Sequence, residues 1–294
     1  MLDVCVLGCG GVVPKSDRHL ASAYFRYNGY GVLVDCGEGT QLAVKEAGFL
    51  LSRIGLILIT HFHADHVTGL PGLLLSMGNE GRTEPVTIAG PVGIEEVVRS
   101  LCIVAKEIPF DLDIVTLNDF DSIERGGISV TAFEVFHTCA CLAYDFRISR
   151  SGKFDKARAE ANGVPMKLWK RLQQGETVDG YSPDMVLGEA RKGIHVTYAT
   201  DTRPLDIIAT MADGADLLIC EGMFEKAKVD RAKETRHMTI AEAASLAAEA
   251  NPDELWLTHY SPSMPDPEEF AAEAKAFPNT VITTDGTVKT IKFQ

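Results

Sequence analysis

Ile54-Gly55-Leu56-Ile57-Leu58-Ile59-Thr60-His61-Phe62-His63-Ala64-Asp65-His66-Val67-Thr68-Gly69 is the stretch whose reading decides the fold. Its first six residues form an apolar, aliphatic run, short enough for a buried strand and too short for a helix. The run ends in His61-x-His63-x-Asp65-His66. Neutral imidazole and carboxylate are ligands that zinc, iron and manganese accept. If strand geometry continues one step, His61 and His63 point the same way. Asp65 and His66 then sit on the turn into the next helix and face a second position. Four ligand-type side chains within six residues are too many for one tetrahedral ion that keeps an open position, so the spacing implies two ions. The competing reading is a polar turn that is merely rich in histidine.

Working outward, the same event recurs. Val130–Phe136 runs into His137, Val196–Thr200 into Asp201, and Leu255–Thr258 into His259. Each is an apolar strand that delivers a ligand-type residue at its carboxyl end, which is where ligands bind in α/β sheets. The pattern assigns His61, His63 and His137 to one ion and Asp65, His66 and His259 to the other. Asp201 bridges, because a carboxylate can span ions about 3.5–4 Å apart. Asp65 is also placed to orient an attacking water or take its proton. Such a site suits hydrolysis of a phosphate diester. His237 lies in the charged, non-strand segment Lys233–Thr239, ahead of a helix. It either protonates a leaving oxygen, binds a phosphate, or has no role. His19 and His195 fall outside the pattern and read as surface or core histidines. Cys139-x-Cys141 is a weaker metal candidate.

At 294 residues with 46% hydrophobic content, the chain has the size of one large α/β domain, and 1–294 is read as such. No apolar run reaches the length of a membrane span, so no membrane partner is expected. The start lacks the basic region of a signal peptide, and the seven cysteines are odd in number and form no C-x-x-C. Together these point to reduced thiols and a cytoplasmic protein. Strand Leu2–Leu7 followed by Gly8-Cys9-Gly10-Gly11 imitates a dinucleotide fingerprint. Val13 replaces its third glycine, however, and Pro14 stands where the helix would start, so this is read as a tight turn beside the site. Ser22–Arg26 and Tyr30–Asp35 form a hairpin around Asn28-Gly29. Helices are expected over Asp65–Met77, Thr239–Ala250 and Pro267–Ala276, the second with Thr239 and Glu242 at capping-box spacing.

The net charge of −13 argues against a nucleic-acid partner. One segment departs from it. Residues 150–174 carry +5, which leaves −18 on the rest. Strand patterning stops over 150–189, and two short helical stretches, Asp155–Asn162 and Pro165–Gln174, take its place. Lys153, Lys156, Arg158, Lys167, Lys170 and Arg171 there suit an arm for a polyanion; a solvated helix pair is the alternative.

These residues together resemble the metallo-β-lactamase superfamily and, within it, the ribonuclease Z family, endonucleases that trim the 3′ trailer from precursor tRNA. His61-x-His63-x-Asp65-His66 is similar to the superfamily signature, with His137, Asp201 and His259 in the same order. Asp35-Cys36-Gly37-Glu38-Gly39-Thr40-Gln41, Gly69-Leu70-Pro71-Gly72, Asp201-Thr202-Arg203-Pro204 and Leu257-Thr258-His259-Tyr260-Ser261-Pro262 resemble further family motifs. His237-Met238-Thr239 resembles the family's His-x-Thr loop, whose histidine serves the transition-state phosphate or donates a proton. Gly152-Lys153-Phe154-Asp155 and Gly175-Glu176-Thr177-Val178 resemble the ends of the family's tRNA-gripping arm, although Met166-Lys167 stands where that arm usually has Gly-Pro. The resemblance implies a four-layer αβ/βα sandwich with a protruding helical arm at 150–189. It also implies two Zn2+ per chain, with Mn2+ or Fe2+ as alternatives, precursor tRNA as substrate, and a homodimer. A related hydrolase of small phosphodiesters, sulfate esters or thioesters, and a non-catalytic metal- or nucleic-acid-binding protein, would share the ligand pattern.

Overall fold

The structure is a computed structural model and describes residues 1–264 and 266–294. Among them the strands are β1 (Leu2–Gly8), β2 (Ser22–Tyr27), β3 (Tyr30–Val34), β4 (Ile54–Leu58), β5 (Val86–Gly90), β6 (Leu112–Thr116), β7 (Ser122–Arg125), β8 (Ile128–Phe136), β9 (Ala140–Arg150), β10 (Arg191–Ala199), β11 (Leu217–Glu221), β12 (Leu255–Thr258), β13 (Thr280–Ile282) and β14 (Thr287–Ile291). They form two seven-stranded sheets, ordered β14-β1-β2-β3-β4-β5-β6 and β13-β12-β11-β10-β9-β8-β7. The first pairs antiparallel from β14 to β3 and parallel from β3 to β6. The second is antiparallel over β7–β9 and parallel over β10–β13.

Parallel neighbours need crossovers, and helices supply them. The helices are α1 (Thr40–Glu46), α2 (Ala64–Val67), α3 (Leu70–Asn79), α4 (Ile94–Leu101), α5 (Lys156–Ala161), α6 (Trp169–Gln173), α7 (Asp206–Met211), α8 (Val229–Thr235) and α9 (Ile240–Ala250), of which α5 and α6 stand between β9 and β10 rather than between parallel strands. Side chains alternate across the first sheet as a strand requires. Cys5, Leu33 and Ile57 join Leu73, Leu74 and Met77 of α3 in one core. On the opposite face Phe25 of β2 stacks on Phe146 of β9, ring centroids 4.1 Å apart, which joins the two sheets. The result is the α/β sandwich the sequence implies. No helix among the described residues is long and apolar enough to cross a membrane. All seven cysteines are free, and five of them are buried.

Contacts divide the chain into a larger unit, Met1–Arg147 with His195–Lys292, and a smaller one, Ile148–Ile194 with Phe293–Gln294. The smaller unit has its own core, in which Ala159, Val164, Leu168, Leu172 and Val186 are buried and Phe154 packs on Trp169. Asp155 caps α5 by accepting the Arg158 N–H at 3.0 Å. Its six candidate basic residues are all exposed.

Several elements differ from the sequence reading. The helix expected over Asp65–Met77 is two helices, α2 and α3. The chain between them is pinned: Gly69 N–H donates to Cys36 O at 2.9 Å, and a Cβ at Gly69 would lie 2.0 Å from Gly37 O. Pro71 then opens α3, where a missing N–H costs nothing. β7 and β9 are additional to the strands expected from sequence, although Leu142, Tyr144, Phe146 and Ile148 alternate with period two and are all buried. Val229–Thr235 is helical, so the loop ahead of α9 begins only at Arg236, whose φ of 59° ends α8. Pro267–Ala274 is a 3-10 helix and stops short of Ala276. The hairpin at Asn28-Gly29 and the Thr239/Glu242 capping box form as the sequence requires.

Candidate metal centre

The four ligand-bearing strand ends lie together at one edge of the two sheets. His66 Nε2 and His259 Nε2 are each 3.5 Å from Asp65 Oδ2. Asp201 lies between sets: Oδ2 is 3.4 Å from His66 Nε2, and Oδ1 is 3.3 Å from His259 Nε2 and 4.0 Å from His61 Nε2. The rings of His61, His63 and His137 pack pairwise at 4.5 to 4.9 Å, with His137 Nε2 3.2 Å from His63 Nδ1. Asp65, His66 and His259 converge closely enough to share an ion, as do His61, His66 and Asp201.

Backbone conformation aims these groups. Asp35, Asp201 and His259 each follow a strand directly or within its last turn of chain and take left-handed φ of 61°, 56° and 56°. Such conformations are costly for residues with a side chain and persist where surroundings enforce them. The turn Gly8–Gly11 does lie beside the site. A Cβ on Gly11 would come 2.6 Å from His259 Cε1, and the neighbouring Val12 N–H donates to Asp65 Oδ2 at 2.7 Å.

Asp35 sets the imidazole tautomers. It is fully buried and accepts His66 Nδ1–H at 2.8 Å, Thr60 N–H at 2.8 Å and the Thr60 hydroxyl at 2.9 Å. With its proton committed, the Thr60 hydroxyl accepts from His61 Nδ1–H at 3.0 Å. Both histidines therefore turn an unprotonated Nε2 toward Asp201. His137 donates Nδ1–H to Arg236 O at 3.3 Å, which leaves its Nε2 facing His63 Nδ1. The Nε2 atoms of His61, His66 and His259 are buried and have no hydrogen-bond partner. Orphaned buried nitrogens beside two carboxylates are what a divalent-cation site requires, and the backing of His66 by a carboxylate and of His137 by a carbonyl is the usual outer shell of a metal-bound histidine. The residues fit a divalent cation.

The electrostatics agree. Burial alone would raise the Asp65 carboxyl, but the adjacent imidazoles of His259 and His66 hold it far below the usual range. Burial likewise opposes the charge on Asp201, and its neighbours His259 and His66 overcome that opposition. Burial and the neighbouring His66 push His61 well below an ordinary imidazole.

His237 joins the cluster, its ring 4.9 Å from that of His137. Sequence reading missed its partner. Glu221, fully buried at the end of β11, accepts His237 Nδ1–H at 3.0 Å, Thr202 N–H at 2.5 Å and Met238 N–H at 3.1 Å. Burial disfavours the imidazolium, yet facing Glu221 raises His237 to about 9. The sequence does carry a signal for it, since Leu217–Cys220 is a fifth apolar run ending in a ligand-type residue. Arg203, legible in the sequence only as part of a motif, donates to the His237 carbonyl and to Glu242. Cys139 lies 3.8 Å from His63 Nε2, behind the ring nitrogen that faces His137, and buried Cys141 turns to Thr200 O. His195 is a core histidine, bonded to Asp145 at 2.6 Å, and His19 pairs with Glu46 at 2.9 Å.

Comparison with known proteins places this geometry. Residues 2–150 match the family model described as anti-Pycsar protein Apyc1. The chain is 50% identical over 281 residues to ribonuclease Z of Agathobacter rectalis, covering 94% of this chain and 93% of that protein. It is similar in structure to the short form of human tRNase Z, with a TM-score of 0.71 and 25% identity, covering 99% of this chain and all of that one. The metallo-β-lactamase fold protein YhfI from Bacillus subtilis shares the fold, with a TM-score of 0.73 and 21% identity over 98% of each chain.

Proposed function

The chain belongs to the ribonuclease Z family of metallo-β-lactamase-fold proteins, and from that premise we propose that it is a metal-dependent endoribonuclease that removes the 3′ trailer of precursor tRNA. The observation that carries this reading is the convergence of buried, unpartnered imidazole nitrogens on Asp65 and Asp201. His61, His63 and His137 would hold one ion, Asp65, His66 and His259 the other, with Asp201 shared. Divalent cations there, zinc first and manganese or iron as alternatives, supply Lewis acidity that neutralises a scissile phosphate and acidifies water near neutral pH.

The chain's own groups do the rest. Asp65 takes the proton of the attacking water while the Val12 N–H fixes its Oδ2. His237 donates a proton to the departing ribose oxygen, and Glu221 keeps it charged and oriented for that task. The exposed bases Lys153, Lys156, Arg158, Lys167, Lys170 and Arg171 grip the backbone of the tRNA substrate. Family membership also supports a cytoplasmic homodimer. The test is to incubate metal-loaded protein, and Asp65→Ala beside it, with a 3′-extended precursor tRNA and to size the products. A single cut near the acceptor end, absent from the variant, is the expected result. No cut, with bis(p-nitrophenyl) phosphate still hydrolysed, would discard tRNA as substrate.

A further inference from the structure

Two residues beside the cluster hold no ligand position and are nonetheless fixed by it. Phe136 ends β8 immediately before His137, and Arg236 immediately precedes His237. The Arg236 guanidinium lies over the Phe136 ring, 4.5 Å from its centroid. Arg236 also donates to the His137 carbonyl, and its own carbonyl accepts from His137 Nδ1 at 3.3 Å. Phe136 N–H donates to Thr202 Oγ1 at 3.1 Å, and its carbonyl accepts Arg203 N–H at 3.1 Å. The pair is therefore held rigidly, in part through the left-handed turn at Arg236.

Phe136 is 49% exposed although the guanidinium lies over its ring, so part of its surface faces solvent. A phenylalanine at a strand end gains by burial, and this one is kept open next to a site built for a phosphodiester. We infer that Phe136, backed by Arg236, is a stacking platform for a nucleobase adjoining the scissile phosphate. Aromatic faces stack any base, and a guanidinium adds cation–π and phosphate attraction without reading sequence. The platform would position the cleaved linkage over the ions and favour RNA over base-free diesters. This rests on the reading of the site as an RNA-cleaving centre.

The test compares wild type, Phe136→Ala and Phe136→Trp on a 3′-extended precursor tRNA and on copies made abasic at single positions flanking the cut. Phe136→Ala is expected to lower kcat/KM about tenfold, mostly through KM, the size of one lost base stack. Phe136→Trp is expected to restore it. One abasic substrate is expected to cost wild type a similar factor and Phe136→Ala nothing more. A loss in Phe136→Ala that is the same on every substrate, abasic ones included, would make Phe136 structural and overturn the inference. So would an unchanged Phe136→Ala alongside an active wild type. A wild type that cuts no precursor tRNA would overturn the proposed function itself, and this inference with it.

Discussion

Replacing Glu221 by glutamine changes one atom in the core and tests how His237 works. The carboxylate is fully buried and accepts three donors, the N–H groups of Thr202 and Met238 and His237 Nδ1–H. The Thr202 donor is on Oε1 and the Met238 donor on Oε2, so an amide nitrogen in either position faces an N–H. One buried donor is left without an acceptor, which costs about 1–3 kcal/mol of stability. The imidazolium meanwhile loses the counter-charge that sustains it in a buried position. Loss of a positioned general acid typically removes about 100- to 10,000-fold in rate. The assay is kcat/KM on two substrates that differ in leaving group. A ribose oxygen needs a proton as it departs, whereas p-nitrophenolate does not. Glu221→Gln should therefore lose at least about 100-fold on precursor tRNA and far less on bis(p-nitrophenyl) phosphate. Equal losses on the two substrates would refute proton donation by His237 and leave Glu221 a structural carboxylate.

Other consequences can be measured separately. Asp35→Asn removes an acceptor that sets the tautomers of His66 and His61, and should weaken metal retention about 10- to 100-fold, read by dialysis against a competing chelator. Gly11→Ala drives a methyl into the His259 ring and should reduce both bound metal and turnover without unfolding the sheets, checked by metal content and circular dichroism. Among the described residues Lys153, Lys167 and Lys170 have no carboxylate within salt-bridge range. Changing all three to alanine should raise KM for precursor tRNA and flatten its salt dependence, by about 0.7–0.9 in log–log slope for each phosphate no longer neutralised. Burial opposes the charge on Asp145, but bonds from His195 and Arg147 lower its pKa. Its stabilisation is thus complete above the unfolded carboxylate value near about 4 and fades as pH falls through the folded value. Asp145→Asn should lower Tm clearly at pH 7, and the gap should narrow toward pH 3.

Much of the site was legible because its residues are local. Four apolar strands run into His61, His137, Asp201 and His259, and a strand's carboxyl end is a fixed address in an α/β sheet. The His-x-His-x-Asp-His spacing alone implied paired ions. Glu221 shows the limit of that logic. It ends a strand in the same way, yet only the packed structure shows that it faces His237. Asp35 likewise sits 31 residues from His66 and reaches it at 2.8 Å only once β3 and β4 pair. β9 is hard to see in the sequence because it follows almost directly on a site histidine, where a loop is the ordinary expectation.

What the chain's residues determined by themselves was most of the strands, the ligand types and the charge contrast between 150–174 and the remainder, all of which depend on neighbours within a few positions. What only the tertiary structure decided was which nitrogens of His61 and His66 are free, which carboxylates back an imidazole, and that Phe136 and Arg236 meet. Those are contacts between residues far apart in the chain, made by strand register and left-handed turns at Asp35, Asp201 and His259, and no local pattern encodes them.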